Sequence, residues 1–279
     1  IAGKTEKEVF KTISLPWIPP ELREDWGEIE KALVGKLPKL IELKDIQGDL
    51  QMHTKFSDGD ATTEEMAKKA KELGYKYIAI TDHASPLGIL KGRKPKEFIK
   101  YIKDIRKADK KIKGIKILAG VEVDVYPNGK LYLPDSTLKK FDLVLAAVHS
   151  KFRQPEREMT KRIIKAIENP YVYILAHPTG RIIGEREPYA VDLDKVMDVA
   201  KKTGTILELN AFWSRLDLND VNCKKAKKRG IKIAISTDAH NPMELEVMRY
   251  GVATARRGWL EKKDVINTLP LKKLKKVLK

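Results

Sequence analysis

The chain contains five histidines, His53, His83, His149, His177 and His240, and all five stand at or just after the C-terminal end of a short apolar run. Carboxylates occupy comparable places: Asp58 lies five residues after His53, Asp82 precedes His83, Glu122 lies in the third run, and Asp238 lies two residues before His240. A single strand-end histidine is ordinarily structural or solvated. Five of five in equivalent positions, with none spent on the surface, point to metal binding. Neutral imidazole and carboxylate suit Zn, Mn or Fe, with softness favouring Zn and carboxylate content favouring Mn. A shared carboxylate such as Glu122 could bridge two ions, and paired ions clamp the attacking and leaving oxygens of a phosphoryl group. The chemistry to expect is hydrolysis, with phosphate esters as natural substrates.

The elements that must position these groups repeat along the chain. The apolar runs are Gly48–His53, Tyr77–His83, Ile115–Val123, Leu143–His149, Tyr171–His177, Thr205–Asn210 and Lys232–His240. Their cores alternate little, as expected of parallel strands covered on both faces. Helix-period segments separate them. Thr62 and Glu65 form a capping box before the Met66, Ala70, Leu73 face, which Gly74 ends. Met159, Ile163 and Ile167 make a second stripe, and Val221, Lys225 and Arg229 fall in a third helix stopped by Gly230. Seven such units predict an α/β fold of the closed barrel type, short of the usual eight. A doubly wound open sheet is the alternative, but no glycine-rich phosphate loop follows any strand. In a barrel the strand ends converge on one mouth.

Residues 1–45 read as a lead-in, stiffened by the prolines between Ser14 and Pro20 and followed by a short helix over Glu21–Val34. The barrel is expected over 46–279. The start at Ile1 suggests a piece of a longer chain. The apolar fraction of 42% makes a globular core, no run is long enough for a bilayer span, and one cysteine, Cys223, excludes a disulfide framework and a zinc ribbon. A cytoplasmic protein without membrane association is the expectation. The formal charge of +17 suits a polyanionic partner, nucleic acid first, although 43 lysines against 13 arginines and 3 glutamines equally suit a thermophile surface.

At the level of motifs, Gly48-Asp-Leu-Gln51-Met-His53-Thr-Lys-Phe-Ser-Asp58-Gly resembles the first motif of the polymerase and histidinol phosphatase (PHP) superfamily. Thr81-Asp82-His83, Gly120-Val-Glu122, Val148-His149-Ser150, Ala176-His177-Pro178 and Thr237-Asp238-Ala-His240 resemble its later motifs in order. Pro16–Glu24, His177–Arg181 and Ala255–Trp259 are most similar to the C-terminal PHP domain of bacterial and archaeal family X DNA polymerases. The resemblance implies a distorted (β/α)7 TIM-like barrel with up to three metals. One ion would use Gln51, His53, Glu122 and Asp238, a second Glu122, His149 and His177, and a third Asp58, His83 and His240. It also implies Mn²⁺- or Zn²⁺-dependent 3′→5′ exonuclease or 3′-end processing of single-stranded DNA, and a polymerase core in the same parent chain. His53, Glu122, Asp238 and Arg181 would carry catalysis.

Gln51 departs from the pattern, since the family usually has histidine there. Its amide oxygen is a hard ligand better matched to Mn or Mg than Zn. It could weaken the first site, ligate through oxygen, or be an introduced substitution. Two rival functions follow: a small-molecule phosphatase of the histidinol phosphatase type, and a metal-impaired domain kept for DNA binding or structure.

Arg181 could hold a phosphate bidentately. Arg153, Arg215, Lys55 and Lys91 could form a basic rim, with Phe152 and Trp213 beside them to stack a terminal base, although core or loop packing is the commoner role for each aromatic. Asn210 could touch substrate or simply form a turn. Asp192 and Asp194 read as a helix cap and first turn. The basic tail Leu271–Leu278 reads as a final helix packing Leu274 and Val277 on the barrel, with membrane or calmodulin-like binding as a remote alternative.

Overall fold

A computed structural model describes residues 3–88 and 92–278; Lys91, expected at the basic rim, lies outside them. The strands are β1 (Gly48–Asp49), β2 (Tyr77–Ile80), β3 (His83–Ala84), β4 (Lys116–Asp124), β5 (Leu143–Ala147), β6 (Ile174–Leu175), β7 (Ile206–Asn210) and β8 (Ile233–Ser236). The helices are α1 (Glu6–Thr12), α2 (Glu28–Leu33), α3 (Thr63–Glu72), α4 (Pro95–Lys111), α5 (Asp135–Leu138), α6 (Glu156–Ile167), α7 (Leu193–Thr203), α8 (Asp220–Arg229), α9 (Met248–Arg257) and α10 (Leu271–Val277).

All pairings in the sheet are parallel, in the order β1-β2-β4-β5-β6-β7-β8. β3 resumes the line of β2 after Thr81-Asp82 and pairs the same neighbour, β4. A parallel bridge joins Met52 to Ala239, with His53 N donating to Ala239 O at 2.8 Å and Asp238 N donating to Gln51 O at 3.1 Å. The sheet thus nearly closes into a TIM-like barrel of seven strands with helices between them. The open doubly wound alternative is excluded.

Strand periodicity sorts side chains to two cores. Tyr77 and Ala79 point inward with Leu118, Leu143, Leu145 and Ile174, and Leu274 and Leu278 join this cluster from the C-terminal end of the chain. Ile78 and Ile80 belong to the outer cluster, against Met66, Phe98, Ile105 and Ile163 from the helices. Gly48 is required where β1 crosses Tyr77, since a Cβ there would lie 2.2 Å from the Tyr77 carbonyl oxygen.

Helix ends follow the local sequence. Thr62 Oγ1 accepts from Glu65 N, and Glu65 Oε2 accepts from Thr62 N at 2.7 Å; Asp192 caps α7 by accepting from Lys195 N. Asp194 lies in the first turn of α7, as expected, and also pairs with Arg229 at 2.8 Å.

Three expectations need correction. Leu73 is partly exposed at the C-cap of α3, outside the helical face that buries Met66 and Ala70. Val277 is 41% exposed, and Leu278 takes the buried place assigned to it. The helix expected over Glu21–Val34 begins only at Glu28, because Asp25 and Gly27 adopt positive φ and leave Pro20–Leu22 as a separate 3-10 turn. This segment packs on the barrel through Ile18, Leu22, Ala32, Leu40 and Trp259. No described helix is long and apolar enough to cross a membrane.

Candidate metal centre

Every strand of the barrel delivers its chemistry to the same end. His53 follows β1, Asp82 and His83 interrupt and begin the β2–β3 line, Glu122 and Asp124 end β4, His149 follows β5, His177 follows β6, and Asp238 and His240 follow β8. Ring centroids of His53 lie 4.3 Å from His83 and 4.4 Å from His240, and those of His149 lie 4.9 Å from His83 and 5.2 Å from His177. The five imidazoles form one chain of neighbours.

The carboxylates sit between them. His53 Nε2 is 2.9 Å from Asp238 Oδ1, His177 Nε2 is 2.9 Å from Glu122 Oε1, and His149 Nε2 is 3.4 Å from the same oxygen. Asp58 Oδ2 lies 3.4 Å from Nε2 of both His83 and His240. Potential ligand atoms cluster within 4.8 Å of one another in three sets: His53, Asp58, His83 and His240; His83, Glu122 and His149; and His53, Glu122 and Asp238. Compared with the expected partition, His83 belongs to two sets and His53 to two. Both rings are central, not peripheral. His83 takes the place expected of His177 beside Glu122 and His149, and His177 stands outside the three sets although its Nε2 lies against Glu122.

Whether these residues fit a cation is answered by the polar atoms without partners. Gln51 Oε1, Glu122 Oε2 and Nδ1 of His53, His83 and His177 are buried with no hydrogen bond. His83 Nδ1 and Glu122 Oε2 are 2.9 Å apart, yet not in hydrogen-bonding alignment. Buried donors and acceptors are rarely left this way. Divalent cations drawing on such lone pairs would satisfy those within reach, so the donor set fits.

Burial by itself would neutralise Glu122, but His83 and His149 outweigh it and hold the carboxyl well below the usual range. Burial is likewise outweighed at Asp58 by His240 and His83, and at Asp238 by His53. Glu122 and Asp58 in turn raise His83 against its burial, and His149 and His240 reach about 9. Burial lowers His53 and His177. The mouth is a lattice of opposite charges that divalent cations could replace by displacing protons.

Surrounding groups hold this lattice in place. Asp124 Oδ1 lies 2.6 Å from His149 Nδ1, and its other oxygen accepts from Ser85 Oγ at 2.5 Å. Asn210 Nδ2 donates to Asp238 Oδ2 at 3.0 Å while its Oδ1 accepts from Phe212 N, so it forms a turn and holds a site residue at once. Glu208 accepts from His177 N at 2.7 Å; burial, with Asp238 nearby, raises its carboxyl well above the ordinary value. Asp82 accepts from Thr54 N and Ser57 Oγ, fixing the loop that carries Asp58. In that loop Gly59 passes so close to His53 that a Cβ would lie 2.7 Å from its carbonyl carbon. His177 and Asp238 themselves have φ of 26° and 57°. Backbone in this region costs on the order of 1–3 kcal/mol and persists at sites that over-determine it.

Asp124 and Glu208 are the supporting acids that sequence reasoning missed, since neither carries a mark beyond a strand-end acid; Asp82, picked out beside His83, lies at the site as the brace of the Asp58 loop.

Gln51 is buried beside Asp238, with its Nε2 3.3 Å from Asp238 Oδ1. Arg181 is placed differently from expectation. Its guanidinium donates to the carbonyls of Arg215 at 2.7 Å and Leu216 at 2.5 Å, so it braces a loop and does not face the cluster. The side chain that does face it is Arg215, whose Nε is 3.5 Å from Asp238 Oδ2. Lys55 and Arg153 are exposed. Trp213 is 62% exposed and stacks on Phe212, while Phe152 is half-buried beneath Arg186. Cys223 is buried, as a core residue.

Fold and site together define a class: an α/β barrel whose mouth carries a compact histidine–carboxylate centre able to hold several divalent cations. The PHP domain family matches residues 49–212, and the chain belongs to it. It is 42% identical over 275 residues, 99% of its length, to the DNA polymerase/3′-5′ exonuclease PolX of Bacillus subtilis, and spans 48% of that relative. It is 34% identical to a protein of Thermoanaerobacter sp. strain X514 named "Probable phosphatase", over 83% of this chain and 94% of that one. Among solved structures, histidinol phosphate phosphatase from Lactococcus lactis, complexed with zinc, L-histidinol and phosphate, superposes with a TM-score of 0.54 at 18% identity, covering 75% of this chain and 93% of that one. The chain therefore spans about half the length of one relative and nearly all of the others.

Proposed function

We propose that this chain is a metal-dependent phosphodiesterase that removes nucleotides from 3′ ends of single-stranded DNA. The observation that carries the reading is the convergence of three ligand sets on shared residues, Glu122, His53 and His83. Gln51, His53, Asp58, His83, Glu122, His149, His177, Asp238 and His240 would hold the cations. When bound, such ions lower the pKa of coordinated water and neutralise charge on the phosphoryl oxygens.

The chain's own groups do the rest. Asp124 holds the His149 ring and Asn210 holds Asp238. Arg215, at the edge of the cluster, presents a guanidinium to the phosphate, while Arg181 fixes the backbone that carries it. The similarity to PolX supports DNA as substrate, and the +17 charge agrees with a polyanion. The buried, unpartnered oxygen of Gln51 supports ligation through the amide and favours Mn²⁺ at that position.

The test is Mn²⁺-dependent shortening of a 5′-labelled single-stranded oligonucleotide, with His83→Ala as control. A ladder of shorter products from the parent protein alone is expected. No shortening above the control removes the exonuclease. A second reading, hydrolysis of small phosphate monoesters, draws on the Thermoanaerobacter relative; faster turnover of histidinol phosphate than of the oligonucleotide would favour it.

A further inference from the structure

Beside the metal mouth lies a cavity of about 960 Å³ lined by Lys151, Phe152, Arg153, Arg186 and Tyr189 together with Ile182 and the rim acids Glu185 and Glu187. Its two walls are the loops that leave the candidate ligands His149 and His177. The first wall is fixed by Arg162, a guanidinium only 1% exposed, which donates to Ser150 O at 2.9 Å, to Gln154 Oε1 at 2.8 Å and to Val125 O. Phe152 is thereby held between two pinned residues. The second wall is fixed by Tyr189, whose hydroxyl donates to Pro178 O at 2.8 Å and whose ring fills the space over Gly180. Arg186 Nε donates to Gly180 O at 2.9 Å.

These anchors set a flat cation over an aromatic ring. The Arg186 guanidinium carbon stands 3.9 Å from the Phe152 centroid, and the Tyr189 ring is stacked with Phe152 at 6.5 Å and 16°. Among the described residues, Lys151, Arg153 and Arg186 form no ion pair, although Glu185 and Glu187 share the rim. Lys151 and Arg153 beside the Arg186 guanidinium layered on Phe152 suit a ligand with both phosphates and planar groups.

We propose that this groove binds the nucleotides of a single strand adjacent to the one at the metal mouth. One base would stack on the outer face of Arg186, and Lys151 and Arg153 would meet the flanking phosphates. The inference rests on the nucleic-acid reading of the active site and deepens it: a small phosphate ester would never reach the groove.

Binding, measured without turnover, tests it. Fluorescence anisotropy is followed for a labelled oligothymidylate of about eight nucleotides and for the dinucleotide. The longer strand is expected to bind at least about tenfold tighter, and Arg186→Ala or Phe152→Ala to weaken it at least about fivefold. Arg186→Lys retains charge without the plane and is expected to lose nearly as much. Arg249→Ala, on α9 outside the groove, is expected to change affinity by less than about twofold.

Equal binding of long and short strands, full affinity in Arg186→Ala or Arg186→Lys, or an equal loss in Arg249→Ala would overturn the groove. Circular dichroism verifies folding; should Phe152→Ala unfold, the two Arg186 variants decide. Failure here leaves the hydrolysis assay untouched, and failure of hydrolysis leaves the length dependence measurable.

Discussion

An imidazole is a defined metal ligand only when its second nitrogen is held, and for His149 that hold is Asp124, itself held by Ser85. Asp124→Asn should therefore lower affinity for the ion bound through His149 by about 10–100-fold, read by competition with a chromophoric chelator. A change smaller than about threefold would mean that Asp124 is only packing. Gln51 poses the complementary question. Gln51→His should raise zinc retained after chelator dialysis, measured by elemental analysis, because imidazole suits zinc better than an amide oxygen. Unchanged zinc would place the side chain outside the coordination sphere. Elsewhere, burial pushes the Cys223 thiol well up. It should be silent to a thiol reagent in the folded protein and titrate as one equivalent in denaturant; rapid native reaction would contradict its place in the core.

At the scale of elements, the N-terminal segment is held to α9 by charge as well as by its apolar cluster. Arg256 Nε donates to Glu21 Oε1 at 2.7 Å, and Arg257 Nη1 to Glu24 Oε1 at 2.5 Å. The Arg256 hydrogen bond holds the Glu21 carboxyl below its ordinary 4.5. A depressed carboxylate stabilises the fold fully above its unfolded value and loses that contribution as pH falls through the folded value. Docking of this segment should loosen below about pH 4.5, and Arg256→Ala should remove the Glu21 part of that dependence. Hydrogen exchange of residues 18–33 against pH reads it; an identical profile in the variant argues against the pair. The loop after β1 makes a separate prediction. Gly59→Ala forces its Cβ against the His53 and Thr54 backbone and should displace Asp58, lowering melting temperature and weakening any ion held between Asp58, His83 and His240. Unaltered metal stoichiometry would show that the loop gives way freely.

For the whole molecule, the excess of 56 basic over 39 acidic residues should make single-strand binding fall steeply with salt. The log–log slope should be about −0.7 for each phosphate neutralised, so four contacts give about −3. A slope near zero between about 50 and 200 mM would return the charge to a surface without a polyanionic partner. Much of this molecule could be read along the chain. Strands are local, and their parallel character follows from apolar runs buried on both faces, so five histidines at strand ends already implied a common mouth. The caps at Thr62 and Asp192 are local too and stand where their side chains placed them. Asp124 and Glu208 were not legible, because a strand-end acid looks the same whether it meets water or a buried imidazole. Nor was the exchange of Arg181 for Arg215: both follow strands, and only the fold shows that Arg181 is turned to the carbonyls of Arg215 and Leu216 while Arg215 lies beside Asp238. Sequence alone determined which residue types reach the mouth, since strand period and capping act over a few neighbours. Tertiary structure decided how they divide into candidate ligand sets, with His53 and His83 each shared, because those distances depend on how seven strands separated by long stretches of chain curve around one axis.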